Sequence, residues 1–379
     1  MNTWSRAPSQ VLELAGFAAV FWAMSAVPIV FEEGFQRDAV KLIELPGDLA
    51  DALEAESRPL VMRGSLDDNV VIVTDRKTYA VNLVETSNTV LLVRPSADAH
   101  TLGVHSVLGC HYEMIETVPD LARVRSLLRE HEIGVNDLPL FFDDMDGAGL
   151  RFDELADCVQ ASDAQIETAL DLMDAIEIRG RWFSLSVELV NRALSNVLDV
   201  ALSCGFQLDR LPVDEVVHEL QGDFPELLIK HIVRVFSVGK NYDRDAKLDE
   251  SAVCRQVAIR ILLEEPKVPF EAFMTRWQLE APGLMTPETD MLRGVALIDE
   301  SVRSRTVMYV PIESLPSDPA KRFEALFSLK QKWAYEDLVA YLSDLVAFGH
   351  PLEPLILKHT RAVQQGAFYI SRRSNKPLK

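Results

Sequence analysis

The sequence predicts an α+β architecture in which a strand-rich N-terminal region precedes three helix-and-hairpin units. Three observations carry this. Between Val40 and Arg94 apolar residues alternate or cluster in short β-branched runs. Beyond about residue 150 they recur at three- and four-residue spacing. Within that helical part, short paired strands return at intervals. At 379 residues the chain exceeds one ordinary core, so several domains are expected.

The first feature in chain order is an uncharged run of eighteen residues, Leu14 to Phe31, behind Arg6. Its length alone suits a membrane span, and Ala23-Met-Ser-Ala26 is faintly like a signal-peptidase site. Glu13 abuts the run, Gly16 and Pro28 interrupt it, and small residues dilute it. A buried amphipathic element is therefore expected, with a membrane tether as the alternative.

Val40 to Leu45, Leu60 to Arg63, Val70 to Thr74 and Tyr79 to Val84 read as strands, with Asp75-Arg76 as the turn between the last two. Tyr79, Val81 and Leu83 share one face and Thr78 and Asn82 the other, the mark of a half-buried antiparallel sheet. A small β-barrel or sandwich-like domain over residues 1–142 is expected. Leu121, Val124, Leu127 and Leu128 then recur at helical spacing, and Asp143 to Gly149 reads as a linker.

The first unit, 150–208, opens with Phe152, Leu155 and Val159 on a helix. Ser162 with Gln165 forms a capping box for a second helix through Ile166, Leu170 and Met173. Ile176 to Ile178 and Trp182 to Leu185 flank an Arg179-Gly180 turn, and a helix running from Val187 stops at Gly205. A helical spacer fills 209–247. The second unit, 248–313, has helices marked by Cys254, Ala258, Ile261 and Leu262, by Phe270, Phe273 and Trp277, and by Met291, Leu292 and Val295 after Pro287. A hairpin of Ala296 to Ile298 and Thr306 to Val310 follows. The third, 317–379, repeats this with Phe323 and Leu326, then Tyr335, Leu338 and Leu342, then Leu352, Leu355, Ile356 and Val363, closing on a strand from Ala367 to Ile370. Three helices around a small core with a hairpin after the third is the winged-helix plan.

No catalytic constellation emerges. Val235 to Lys240 resembles a phosphate loop, but Arg234 stands where the first glycine belongs and Asn241 replaces the magnesium-binding hydroxyl residue. Asp144, Asp146, Gly147 and Asp153 follow a calcium-loop pattern that Phe142 breaks at its first position. His105, Cys110 and His111 could converge on a metal but in a strand-rich region read as core or surface filler, and His218-Glu219 lacks a second histidine. Cys110, Cys158, Cys204 and Cys254 are far apart, which suits a reducing compartment. The expectation is a non-enzyme with no metal and no cofactor.

Charge is unevenly placed. Lys321 to Lys379 hold ten Lys/Arg against five Asp/Glu, net +5 in a chain of net −20, so the preceding 320 residues carry −25. Such asymmetry points to an anionic partner met by one end only. On the last predicted helix Lys358, Arg361 and Gln365 share a face, Arg372, Arg373, Lys376 and Lys379 follow the closing strand, and Lys330 and Lys332 precede Trp333. These residues are the expected DNA contacts, giving about three to six phosphate contacts and a salt slope of roughly −3 to −5. Only Gln365 and Thr360 offer neutral groups there, so binding without base readout is expected. A winged helix that binds protein instead is the alternative for this cluster.

The stretch Leu315-Pro-Ser-Asp-Pro-Ala-Lys-Arg-Phe-Glu-Ala-Leu-Phe-Ser-Leu-Lys-Gln-Lys-Trp-Ala-Tyr-Glu-Asp-Leu338 resembles the C-terminal region of the sister chromatid cohesion protein Dcc family. Leu60 to Gly64, Lys77 to Tyr79, Thr86 to Asn88, Gln160 to Ser162, Gly294 to Asp299 and Ser371 to Arg373 resemble it in the same order, from about residue 40 onward. The resemblance implies a nuclear, non-ATPase subunit of the Ctf-type alternative clamp loader built on small replication factor C subunits. Its N-terminal half would join a β-barrel assembly with two companion subunits, for which Leu60, Met62, Arg63, Tyr79, Val81 and Leu83 are the candidate contacts. Its winged helices would meet DNA polymerase epsilon and DNA while the motor loads or unloads the sliding clamp PCNA. No membrane is expected on this reading. A stand-alone winged-helix transcription regulator and a membrane-tethered protein are the alternatives.

Overall fold

The structure, a computed structural model, describes residues 27–31, 35, 40–47, 49, 50, 53, 60–64, 68–95, 101–119, 121–141, 148–299, 305–316, 318–345, 351–363 and 368–371. The chain divides into two compact units, residues 1–119 with 156–165, and 120–155 with 166–379.

In the first unit, β1 (Ile29–Phe31), β2 (Ile43–Glu44), β3 (Val61–Arg63), β4 (Val71–Val73), β5 (Thr78–Pro95) and β6 (Leu102–Glu116) form one six-stranded sheet along the path β1-β6-β5-β4-β3, with β2 also on β6. β1 and β2 run parallel to β6, and the other pairs are antiparallel. The expected closure is not found. Among the described strands the path ends at β1 and β3, leaving an open sheet and no barrel. The Asp75-Arg76 turn forms as expected: Thr74 Oγ1 accepts from the Lys77 and Arg76 amides at 3.0 and 3.3 Å. Ile72, Tyr79, Met114 and Leu49 make a small core at the base of the sheet.

β5 and β6 continue far past that core. Their pairing runs from Tyr79 opposite Glu116 to Pro95 opposite Leu102, with shifts at Glu85/Val90 and Leu92/Val93. Of the apolar run Leu14 to Phe31, only residues 27–31 are described. They include β1, whose three side chains are exposed, and the rest of the run, expected as a buried amphipathic element, lies outside the described residues. No helix among the described residues is long and apolar enough to cross a membrane.

The second unit begins with α1 (Ala122–Arg129) and β7 (Glu132–Ile133), followed by β8 (Leu150–Arg151) and the start of α2 (Phe152–Cys158). The end of α2 and the first turn of α3 (Asp163–Leu172) belong to the first unit, and the rest of α3, β9 (Ile176–Ile178) and β10 (Arg181–Leu185) to the second. β10 pairs with β9 and β8 antiparallel and with β7 parallel. Arg179 (φ 51°) and Gly180 (φ 77°) form the two-residue turn that the dipeptide predicts, since both central residues of such a turn need positive φ.

The chain then runs through one order in full twice and in reduced form once, the reduced pass lying over 187–246, where the end of a first unit (150–208) and a helical spacer (209–247) were expected. The first pass is α4 (Val187–Ser203), β11 (Leu211–Pro212), α5 (Val213–Glu219), α6 (Glu226–Val235) and β12 (Asp245–Ala246), with β11 paired to β12. The second is α7 (Glu250–Glu264), β13 (Lys267–Pro269), α8 (Phe270–Glu280), a 3-10 turn at Thr289–Leu292, β14 (Ala296–Asp299) and β15 (Thr306–Tyr309). The third is α9 (Pro319–Leu329), β16 (Trp333–Ala334), α10 (Tyr335–Ala340), α11 (Glu353–His359), β17 (Thr360–Val363) and β18 (Phe368–Ser371). In the second and third passes the last strand lies between the other two.

Local signals start and stop these helices. Ser186, Asp249 and Asp318 cap α4, α7 and α9 through side-chain oxygens, Pro319 takes the first turn of α9, and Gly205 (φ 71°) ends α4. The helix expected from Pro287 through Val295 shrinks to the 3-10 turn. After Arg293 comes Gly294 (φ 78°), whose backbone comes so near Ala340 that a Cβ would lie 3.3 Å from the Ala340 carbonyl oxygen. Apolar burial joins the first pass to β7, β9 and β10 in one core. Trp277 and Phe273 centre a second, and Trp333, Phe323 and Tyr341 a third.

Candidate nucleic-acid interface

The basic end is built on α11, β17 and β18. The apolar spacing of Leu352, Leu355, Ile356 and Val363 predicts a helix through Val363, but α11 stops at His359. Thr360 is fully buried and donates its hydroxyl to the Ile356 carbonyl at 2.7 Å, and from Thr360 the chain pairs with β18. Val363 thus meets Phe368 across a strand pair and does not continue a helical stripe. Lys358 is exposed in the last turn of α11, where a cation is favoured by the helix dipole. Arg361 is exposed on β17 opposite Ile370, so it stands on the hairpin and not three residues along a helix from Lys358. Thr360, bonded and buried, offers nothing to a base edge. Gln365, Arg372, Arg373, Lys376 and Lys379 lie outside the described residues.

Lys330 and Lys332 sit between α9 and β16. Lys330 Nζ is 5.5 Å from the Trp333 ring and 3.7 Å from Asp337 Oδ2, and Lys332 Nζ is 3.9 Å from the Phe368 ring of β18. Trp333 is fully buried and donates Nε1–H to the Lys330 carbonyl at 2.8 Å, which fixes the backbone from which both lysines project. At the N-terminus of α11 the Tyr335 hydroxyl donates to Glu353 Oε1 at 2.7 Å. This bond holds the Glu353 carboxyl below its ordinary range and lifts the Tyr335 phenol.

One of the ten basic residues is not available to a ligand. Arg322 is 1% exposed, donates to the Pro316 and Tyr341 carbonyls at 2.6 and 3.2 Å, and pairs with Asp344, which also takes Arg125 at 2.9 Å. Charge counting could not separate it from its exposed neighbours; the only sign was its place one residue before Phe323 on an amphipathic helix.

The candidate protein-contact residues of the first unit divide. Leu60 and Met62 are exposed along β3, the outermost strand of its side of the sheet, and Leu83 is exposed on β5. Tyr79 is buried in the core and Val81 packs against it. Arg63 is turned inward, bonded to the Ala161 carbonyl and to Asp163 Oδ1 at 2.5 Å. The sequence reading passed over Val90, Leu91 and Leu92, all exposed on β5. Their signal was an apolar run without alternation.

The family described as "Sister chromatid cohesion protein Dcc1" matches residues 40–342. The "Sister chromatid cohesion protein DCC1" of Mus musculus is 30% identical over 351 residues, covering 88% of this chain and 87% of the relative. That of Homo sapiens is 28% identical and covers 88% of each chain. That of Saccharomyces cerevisiae is 23% identical, over 86% of this chain and 94% of the relative. With the family match spanning well over half of its length, the chain belongs to the sister chromatid cohesion protein Dcc1 family.

Proposed function

We propose that this chain acts in sister chromatid cohesion as a non-catalytic subunit of an alternative replication factor C-like clamp loader. In this reading it works in the nucleus, needs no cofactor, and helps load or unload PCNA. The first unit docks onto companion subunits, and the three repeats, read as winged helices, meet DNA polymerase epsilon and DNA. The observation that carries the scaffold half is the free edge of β5. β4 pairs with it only at Thr78–Val73, Tyr79–Ile72 and Ala80–Val71, so from Val81 to Pro95 the sole partner among the described strands is β6. That stretch exposes Leu83, Val90, Leu91 and Leu92. A long apolar edge is a pairing hazard in isolation and a docking strip in an assembly.

The winged-helix reading is supported by the second and third passes, each a helix, strand, helix, third helical turn and hairpin with the last strand central, and by the first pass, which follows the same order with a single strand after α6. The DNA role is supported by Lys330, Lys332, Lys358 and Arg361 on the third repeat, with no base-reading group left at Thr360. Purification of the tagged chain from cells tests the proposal. Wild type should bring down the clamp-loader motor, and L83D/L91D should lose it while K358A/R361A keeps it. Absence of the motor from the wild-type pull-down would refute the reading.

A further inference from the structure

Arg293 and Lys330 converge on one carboxylate. Arg293 Nε lies 3.4 Å from Asp337 Oδ1, and Lys330 Nζ lies 3.7 Å from Asp337 Oδ2, on the wall of a cleft of about 260 Å3. Arg293 comes from the second repeat, while Lys330 and Asp337 come from the third. Arg305, leading into β15, lines the same cleft with its guanidinium 3.7 Å over the Phe270 ring. Leu297 of β14 packs into the core of the third repeat, and Gly294 closes on Ala340, so the two walls are held at a set spacing.

Two features mark this cleft as made for a ligand. Tyr341 lines it, is 1% exposed, and its hydroxyl has no hydrogen-bond partner among the described residues. A buried donor without a partner is rare and calls for an explanation. Second, among the described lining residues three cations face two carboxylates, Asp290 and Asp337, leaving net positive charge in a chain whose first 320 residues sum to −25. The Asp337 contacts are longer than a charge-assisted hydrogen bond and roughly a third exposed, so its carboxylate can exchange for another oxyanion.

We propose that this cleft receives a backbone phosphate of DNA, gripped by Arg293, Arg305 and Lys330, so that the nucleic-acid surface runs from the third repeat onto the second. Asp337 holds the place of the phosphate in the free protein and competes with it. This rests on the DNA role proposed above and adds residues from a repeat whose overall charge would not suggest it.

The test is duplex binding by the full-length chain, followed by fluorescence anisotropy on a labelled 30-base-pair DNA across a salt series. R293A/R305A should weaken binding several-fold at low salt and flatten the salt slope by roughly 1–2, as loss of one or two phosphate contacts requires. D337N should tighten binding by about 3- to 10-fold, a gain that misfolding cannot mimic. An unchanged slope in the first variant, or no gain in the second, overturns the proposal. K358A/R361A separates the two readings: if it weakens binding while R293A/R305A does not, the DNA role stands and the cleft is excluded. If neither variant weakens binding, both readings fall.

Discussion

Thr78 and Gln165, 87 residues apart, share a 2.7 Å hydrogen bond in which the threonine hydroxyl donates to Oε1. The same hydroxyl oxygen accepts from the Ser162 amide at 3.1 Å. Ser162 and Gln165 close their own capping box, with Gln165 N on Ser162 Oγ and Ser162 N on Gln165 Oε1. The start of α3 is thereby bonded to the first residue of β5. T78V keeps the shape and removes both bonds of the hydroxyl, leaving the Ser162 amide and Gln165 Oε1 with only each other. The expected cost is about 1–3 kcal/mol, read as a lower urea midpoint, with T78S close to wild type.

Gly149 and Gly180 both have φ 77°, yet they should respond differently to alanine. A Cβ on Gly149 would fall 2.3 Å from Phe183 Cζ, whereas nothing lies within 4 Å of one on Gly180. G180A should cost only the backbone strain of positive φ, about 1 kcal/mol. G149A must also displace the buried Phe183 ring and should cost at least about 2–4 kcal/mol. Thermal melts of the two variants side by side check the difference.

His231 gives the second unit an acid sensitivity. Burial, reinforced by Arg234, lowers its pKa from 6.5 to about 4, and its Nε2 lies 3.0 Å from the Asp174 carbonyl oxygen. The unfolded chain therefore takes up this proton near pH 6.5 and the folded chain only near pH 4. Stability is full above pH 6.5 and is lost as pH falls toward 4. Burial raises the Asp174 carboxyl, which works the opposite way near the low end of the window. Unfolding midpoints of wild type should fall between pH 6.5 and 5, and H231Q should show a flatter profile.

Arg322 and the exposed cations of the third repeat should separate stability from DNA binding. R322A removes the buried donor from the Pro316 and Tyr341 carbonyls and leaves Asp344 with Arg125 alone, at an expected cost of about 2–5 kcal/mol in the melt. K358A/R361A should leave the melt within about 0.5 kcal/mol of wild type, because both side chains are exposed, while reducing DNA retention at low salt.

Features governed by a few neighbouring residues were legible in the sequence. The Arg179-Gly180 turn, the Ser162/Gln165 box, the stop at Gly205 and the β14–β15 hairpin each depend on chemistry within about six residues. Features governed by distant pairing were not. Tyr79 to Val84 was visible as a strand, but its extension to Pro95 depends on β6. Val363 fitted a helical stripe equally well until β18 claimed it. The candidate contacts suffered in the same way: Arg63 and Tyr79 carry the right chemistry for a surface and are spent on internal contacts, as is Arg322 among the counted charges of the basic end.

By itself, the sequence determined the family, the α+β texture, the recurrence of helices with hairpins and the concentration of positive charge at one end. Those properties are summed over residue types and short spacings, which any conformation of the chain preserves. Only the tertiary structure decided which apolar residues line a free strand edge, which cations reach solvent, and that Arg293 and Lys330 face one carboxylate across two repeats. Each of these depends on which distant backbone happens to cover a side chain, and burial by a remote segment leaves no local trace.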